Sequence, residues 1–277
     1  LLLCIPLMQE NIAMAKILII GAGTVGMAVG HLLSHRHQIT YYDNDPVVTY
    51  ALQAGRHPLL LKHAVDFDYK VAEHLGDTLK DVNRVLIAIP TPSMNGYLYT
   101  QPVSELIQLI RSYGKANLPP LNIAVCSTVD IGFCLQCAVD YFPQFMTDAA
   151  PFALPERLIY GTDRMSITEI FDFLDDYRSK LFMHSTQEAE LVKLGSNGFL
   201  ATKLAFFETI NEIAVRHGID SKAIIRSIAA DPRIGKSHTY SPFKIAGKCL
   251  PKDIHALWRA SRSEVLREVA NIARDNL

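Results

Sequence analysis

The segment Gly21-Ala22-Gly23-Thr24-Val25-Gly26 constrains this chain most, because it separates a short apolar run, residues 16–20, from a helical period that opens at Thr24. In that setting the spacing has one physical solution. The first glycine makes a tight turn, the second leaves the backbone bare for a pyrophosphate, and the third lets helix and strand pack closely. The helix N-terminus adds unpaired N–H groups and positive potential, which suit an anion. Gly21, Gly23, Thr24, Val25 and Gly26 are therefore candidate cofactor contacts. A second strand, residues 38–42, ends beside Asp43, about 20 residues beyond the glycines, where a carboxylate accepts hydrogen bonds from ribose hydroxyls. That carboxylate repels a 2′-phosphate and no arginine follows it at once, so the cofactor read from these residues is NAD rather than NADP.

The alternation of apolar run, turn and helical period continues through the first two thirds of the chain and predicts an α/β fold, a Rossmann-type doubly wound parallel sheet. Further strands are expected at 84–89, 122–126, 144–147 and 157–160. Asp45 is a plausible N-cap for a helix that Pro46 opens and Gly55 closes. Another helix should cover 166–178. After His184 the character changes: Leu191, Leu194, Leu200, Leu204, Phe207 and Ile210 recur at helical spacing, which predicts one long helix over 188–217 stopped by Gly218. Shorter helices follow at 221–229, 251–261 and 263–276. The expected organisation is an N-terminal extension (1–13), a cofactor-binding domain (14–185) and an all-helical domain (186–277).

Composition narrows the function classes. With 49% apolar and 20% charged residues the chain is not disordered, and 27 Lys plus Arg against 28 Asp plus Glu leave no basic excess for a nucleic acid. Five cysteines (Cys4, Cys126, Cys134, Cys137, Cys249) are too few and too scattered for a disulfide framework, which favours a reducing cytoplasm. The apolar run 1–8 is shorter than the roughly 20 residues a bilayer span needs. It also lacks the basic leader of a secretory signal, so no membrane partner is expected. Cys134 and Cys137 form a CxxC within a predicted helix and are read as packing residues, and no metal site is expected.

Cys249-Leu250-Pro251-Lys252-Asp253 is the second unusual stretch. Pro251 suits the first turn of a helix and puts Cys249 just ahead of the helix N-terminus, with Lys248 and Lys252 beside it. Positive helix-end potential and two lysines favour a thiolate, the form in which cysteine is a nucleophile.

Taken with Ile89-Pro90-Thr91-Pro92, Ser127-Thr128-Val129, Glu188-Ala189-Glu190-Leu191-Val192-Lys193 with Asn197, Asn211-Glu212-Ile213-Ala214 and Asp231-Pro232-Arg233-Ile234-Gly235, these motifs make the chain resemble the UDP-glucose/GDP-mannose dehydrogenase family. The resemblance implies a two-step, NAD-dependent oxidation of a sugar-nucleotide primary alcohol to a carboxylate through a thiohemiacetal and a thioester on Cys249. It implies that Asp253 positions water, and that Thr128 sits by the nicotinamide. Thr91 and Pro92 would line the cofactor cleft. Lys193 and Asn197, four apart on the long helix, share a face and could stabilise one oxyanion. The resemblance further implies a homodimer paired through long helices.

Three departures accompany the matches. The family's catalytic-glutamate segment should precede Pro155, where only Ala150-Pro151-Phe152-Ala153-Leu154 stands, so that segment reads as deleted and Glu156 falls outside the active site. The sugar-wrapping glycine loop reads Ser241-Pro242-Phe243-Lys244-Ile245-Ala246-Gly247-Lys248, with one glycine left. The chain also ends where the family's C-terminal UDP-binding domain is expected to follow. Two alternatives stand beside the family activity: a single-step β-hydroxyacid-type dehydrogenase that leaves Cys249 idle, and an NAD-binding protein without turnover.

Overall fold

The computed structural model describes residues 14–94, 96–114, 121–147, 149–239, 245, 247 and 249–274. The expected extension, and much of the loop before Cys249 including Lys248, lie outside the described residues. In chain order the elements are β1 (Lys16–Ile20), α1 (Thr24–Ser34), β2 (Gln38–Tyr42), α2 (Pro46–Gln53), α3 (Pro58–His63), β3 (Lys70–Val71), α4 (Leu75–Thr78), β4 (Arg84–Ile87), β5 (Ser93–Met94), β6 (Tyr97–Leu98), α5 (Gln101–Gly114), β7 (Asn122–Val125), α6 (Phe133–Cys137), β8 (Asp140–Tyr141), β9 (Leu158–Gly161), α7 (Ile167–Leu174), β10 (Leu181–His184), α8 (Thr186–Arg216), α9 (Ser221–Ala229), α10 (Leu250–Ser261) and α11 (Glu264–Arg274). They divide into two compact units. A sheet unit holds the chain up to Ile89, Val103–Ser127 and Cys134–Ala189, and a helical unit holds Pro90–Pro102, Thr128–Phe133 and the chain from Glu190 on.

The sheet unit has the expected α/β architecture. Eight strands run in the order β10-β9-β8-β7-β4-β1-β2-β3, parallel throughout except where β8 meets β9. Ile17, Leu18, Ile19, Val85, Leu86 and Ile87 are wholly or almost wholly buried, as continuous apolar strands covered on both faces must be. β1 sits between β2 and β4, with Ile20 level with Tyr42 on one side and Ile87 on the other. The crevice beyond the carboxyl ends of such strands is where doubly wound sheets take ligands, and the glycine turn opens there.

Local chemistry set several boundaries apart from expectation. β4 and β7 end at Ile87 and Val125, short of the predicted 89 and 126. The strand expected at 144–147 does not form. Pro143 cannot donate to a ladder, the pairing ends at Tyr141, and the Gln144 side chain bonds the carbonyl of Phe142 (3.0 Å). The helix predicted over 166–178 starts as expected, with Ser166 and Glu169 forming a capping box, but passes into a 3₁₀ turn after Leu174. There Asp175 and Asp176 both pair with Arg36 at 3.0 Å.

In the helical unit, α8 and α9 match the expected helices to within two residues at each end. The segment from Glu190 on packs Ala201, Leu204 and Ala205 against Ile245, Ile254, Val269, Ala270 and Ala273. The β5–β6 hairpin is clamped by Arg259 of α10, which donates to the carbonyl of Gly96 (2.9 Å) and lies 3.6 Å from the centre of the Tyr97 ring.

Candidate functional site

Two glycines of the fingerprint, Gly21 and Gly26, have a measurable steric reason to be glycine. Gly21 takes φ +98°, and a Cβ there would lie 2.6 Å from the carbonyl oxygen of Ala88; a Cβ on Gly26 would lie 1.9 Å from the carbonyl oxygen of Gly21. Nothing stands within 4 Å of where a Cβ on Gly23 would be, so that stretch of backbone is bare. Gly23 is also the N-cap of α1. No side chain bonds the cap, and no acidic residue occupies the first turn that contains Thr24 and Val25, so the orphan N–H groups are left for an anion. The sequence reading passed over Gly30, whose missing Cβ makes room for the Tyr41 hydroxyl.

Asp43 is held from two sides. Its Oδ2 accepts from Ala22 N–H (2.8 Å) inside the glycine turn, and its Oδ1 accepts from Asp45 N–H (2.9 Å). A carboxylate so fixed retains lone pairs for further donors. Bare backbone, an uncapped helix end and an anchored carboxylate fit the diphosphate and ribose of a dinucleotide.

In the helical unit, Thr91 is buried and its hydroxyl donates to the Thr128 carbonyl (2.7 Å). Pro92 is exposed, and its carbonyl accepts from Tyr99 N–H (2.8 Å), closing the base of the hairpin. The loop that carries Thr128 is fixed at its other end by Glu190. This carboxylate is fully buried and accepts from Gly132 N–H (2.5 Å). Sequence reasoning missed Glu190 because an acidic residue on an amphipathic helix ordinarily faces water.

Cys249 is exposed and is itself the N-cap of α10, one position nearer the helix than expected. Its carbonyl accepts from Asp253 N–H (3.0 Å) in the first helical turn. Asp253 is completely buried. Its two oxygens are taken by different donors, Asn197 Nδ2 at 2.5 Å and Lys252 Nζ at 2.6 Å. The structure thus joins Asn197 of α8 to the helix that Cys249 begins, and it gives Lys252 to Asp253. Lys193 lies one turn before Asn197 and is half-buried.

The short stretch left where the glutamate segment reads as deleted carries a half-buried aromatic ring, Phe152. Phe152 meets the rings of His31 and His63 at 5.4 and 5.9 Å between centres, and Glu156 is exposed. Of the altered glycine loop, Ile245 is fully buried and Gly247 adopts φ +86°. Cys134 is buried and Cys137 half-buried, and among the described residues no cluster of His, Cys, Asp or Glu could hold a metal ion.

Known proteins resemble this chain in sequence and in fold. Residues 187–275 match the model described as UDP-glucose/GDP-mannose dehydrogenase family, central domain. The chain is 28% identical to the UDP-glucose 6-dehydrogenase of Rickettsia bellii over 269 residues, covering 87% of this chain and 62% of that protein. It is 27% identical to the Campylobacter jejuni UDP-glucose 6-dehydrogenase, covering 87% and 67%. A UDP-glucose dehydrogenase structure from Pyrobaculum islandicum superimposes with a TM-score of 0.85 at 23% identity, over 98% of this chain and 70% of that one, and shows the same fold. The chain therefore spans less than two thirds of the first of these relatives.

Proposed function

Proceeding from its likeness to the UDP-glucose/GDP-mannose dehydrogenase family, we propose that this chain carries the cofactor-binding and catalytic parts of an NAD-dependent dehydrogenase that oxidises the primary alcohol of a nucleotide sugar to a carboxylate. The observation that carries the reading is the pairing of a buried Asn197–Asp253–Lys252 network with an exposed cysteine at the start of the same helix. Gly21, Gly23, Thr24, Val25, Gly26 and Asp43 would hold the adenosine diphosphate part. By the resemblance, Thr91, Pro92 and Thr128 serve the nicotinamide part. When bound, the cofactor supplies a two-electron hydride acceptor.

The residues then divide the work. The alcohol loses a hydride and a proton to give an aldehyde. The Cys249 thiolate adds to the aldehyde carbon, and the oxyanion so formed is the charge that Lys193 and Asn197 would stabilise. A second hydride loss leaves a thioester, and water cleaves its C–S bond to release carboxylate and thiol. Each carboxylate thus consumes two NAD and one water. Asp253, with both oxygens engaged, orients Asn197 and Lys252 and restrains the first turn of α10 in which Cys249 sits.

Phe199, Phe206 and Ile213 are exposed (66%, 53% and 42%) and recur every seven residues along α8, a spacing that keeps one helix face aligned. This stripe supports a homodimer paired through α8. The free thiols of Cys126 and Cys249 accord with a cytoplasmic setting, and no helix among the described residues is long and apolar enough to cross a membrane.

The test is NADH formation with a panel of UDP- and GDP-sugars. Two NADH per carboxylate are expected, and Cys249→Ser should lose the second oxidation while keeping NAD affinity. A Cys249→Ser protein that forms carboxylate at the parent rate sinks the thioester route. The half-buried Phe152, in the short stretch left where the family's glutamate segment reads as deleted, favours a second reading, an NAD-binding protein without turnover. That reading wins if NAD binds and no sugar nucleotide is oxidised.

A further inference from the structure

The β5–β6 hairpin is a part of the helical unit to which the proposed reaction gives no task. The chain leaves the sheet unit after Ile89 and returns to it at Val103, and the segment Pro90–Pro102 between them belongs to the helical unit. Each strand of the hairpin has two residues, and a hairpin so short has little stability of its own. Of its strand residues only Leu98 is buried, against Leu194 of α8 and Ala256 of α10, while Met94 and Tyr97 are 54% and 59% exposed. Arg259, in the last turn of the helix that Cys249 begins, nevertheless holds it at two points. Its Nε donates to the Gly96 carbonyl (2.9 Å), and its guanidinium carbon lies 3.6 Å from the centre of the Tyr97 ring. Gly96 turns the chain at φ +78°, and a Cβ there would lie 2.9 Å from Arg259 Nη2, so the guanidinium sits against backbone that only glycine leaves open. The hairpin thus adds little to the core, and what it does carry is the segment at its base. There Tyr99 N–H donates to the Pro92 carbonyl (2.8 Å), and the Thr91 hydroxyl donates to the Thr128 carbonyl (2.7 Å).

We propose that Arg259 is a positioning residue: through the hairpin it fixes the Thr91–Pro92 segment relative to Cys249, at the other end of the same helix. The inference rests on the reading that Thr91 and Pro92 serve the nicotinamide and that Cys249 attacks the aldehyde. Hydride loss and thiol addition take place at one carbon of the substrate, so the groups that place the cofactor and the nucleophile need a common frame. α10 supplies it. About 15 Å of helix, at 1.5 Å per residue, separates Cys249 from Arg259, and Asn197 restrains its first turn through Asp253 (2.5 Å). Arginine suits the other end, because its planar group can donate to a carbonyl from one edge while its face lies over an aromatic ring. Lysine brings the same charge as a single point and can satisfy one of these demands at a time.

The experiment is alkylation of Cys249 by iodoacetamide in the full chain, with and without saturating NAD, followed by NADH formation with UDP- and GDP-sugars. Arg259→Met removes the donor and the cation and keeps a side chain of similar length. Without NAD the variant should be alkylated at the parent rate, and NAD should bind it with the parent affinity, because the glycine turn and Asp43 are untouched. Bound NAD should slow alkylation in the parent and lose most of that protection in the variant. With sugar nucleotide, kcat should fall by about a hundredfold at unchanged KM, the scale of a misplacement of about 1 Å. A merely structural role would instead lower the melting temperature and speed alkylation without NAD. Arg259→Lys should recover part of both readouts and serves if the methionine variant does not fold, while Tyr97→Phe, which keeps the ring, should match the parent. Parent-like protection and kcat in Arg259→Met overturn the role of Arg259 and leave the cofactor reading standing. If the parent oxidises no sugar nucleotide, the protection readout decides alone. NAD that binds the parent without slowing alkylation overturns the placement of Cys249 beside the cofactor, and the inference with it.

Discussion

The two units hide polar groups in different proportions: among the described residues the sheet unit buries two histidines, His37 and His57, and one carboxylate, Asp140, and the helical unit two carboxylates and one histidine, His255. The sheet unit buries neutral rings: His37 and His57 are each 5% exposed, and burial lowers the pKa of His31, His37 and His57. The helical unit buries carboxylates, Glu190 and Asp253, each fully enclosed and each bonded to a donor from another part of its own unit. A neutral buried ring asks only for hydrogen bonds, whereas a buried charge must keep its partner. Of the residues to which the resemblance assigns chemistry, Asp253 is of the second kind, and Asn197 is one of its two donors.

The largest effect should come from breaking the charged network. Asp253→Ala leaves Asn197 Nδ2 and Lys252 Nζ without their acceptor, and removal of one partner from a buried ionic pair costs about 3–5 kcal/mol. Trp258 is the only tryptophan and lies in the helical unit, so its fluorescence in urea reports that loss. Asp140 in the sheet unit is the sharpening control. It is also fully buried and accepts from Tyr160 and Thr162, but its cationic partner Arg164 is 42% exposed and returns to water when released. Asp140→Ala should therefore cost less, about 1–3 kcal/mol for unsatisfied hydroxyls. If Asp140→Ala costs more than Asp253→Ala, the contrast between the units is wrong.

The next largest effect concerns what each unit leaves outside. Phe206→Glu places a charge in the exposed stripe of α8 and should weaken self-association by about 2–4 kcal/mol, the scale of an aromatic hot spot. Light scattering across a dilution series reads this directly. Phe182, 54% exposed on the edge strand β10 of the sheet unit, is the matched control, and Phe182→Glu should leave the association unchanged. A parent chain that is monomeric at micromolar concentration removes the stripe's assigned role.

These contrasts were unevenly legible in the sequence. The central strands and the glycine turn were readable because uninterrupted apolar runs and G-x-G-x-x-G each have few physical solutions. α8 was readable because its period continues for 31 residues. α5 was readable but passed over, although Val103, Ile107 and Ile110 fall at buried helical spacing. β10 and α3 carry no such pattern, being short and stabilised by their neighbours. Within the candidate site, Cys249, Asn197 and Asp253 could be chosen by spacing, yet their bonds to one another could not. Glu190 stands within the motif that runs from Glu188 to Lys193, yet its burial could not be read there, because its carboxylate meets Gly132, in a loop distant in sequence.

Acid should separate the units by a smaller margin. A histidine whose folded pKa is lowered binds its proton more readily in the unfolded chain, so stability rises with pH where the two states differ. The contribution is intact above the unfolded value near 6.5 and is lost as pH falls through the lowered folded value. His37 makes the cost concrete. Its Nδ1 accepts from Ala15 N–H (3.1 Å) while Nε2 bonds the Phe173 carbonyl (2.9 Å), so a second proton would set a donor against a donor. The sheet unit holds His31, His37 and His57, against His238 in the helical unit. Hydrogen exchange of β1 amides should therefore accelerate between about pH 7.5 and about pH 5, beyond the chemical exchange trend, more than that of α8 amides. Equal acceleration in the two would erase the distinction.

The smallest effect tests whether the units are equally cooperative. Ser166 caps α7 through a reciprocal box with Glu169, and Asp220 caps α9 by accepting from Lys222 N–H (2.9 Å). Loss of either cap should remove about 1 kcal/mol, provided the capped helix unfolds together with its unit. α7 meets that condition, because Ile170, Phe173 and Leu174 are buried in the main core and Arg84 lies over the Phe173 ring. α9 is fastened more lightly, through Ile225 and Ala229, with Ile225 against Phe207. Ser166→Ala should shift the whole sheet-unit transition by the full cap energy, because α7 cannot fray without opening that core. Asp220→Ala should cost the same if α9 is integral to its unit, and measurably less if α9 frays first. Urea midpoints, read from exchange of β1 amides for the first variant and from Trp258 for the second, distinguish the cases. A larger loss for Asp220→Ala than for Ser166→Ala would show that the helical unit is the more tightly coupled of the two, despite its exposed stripe.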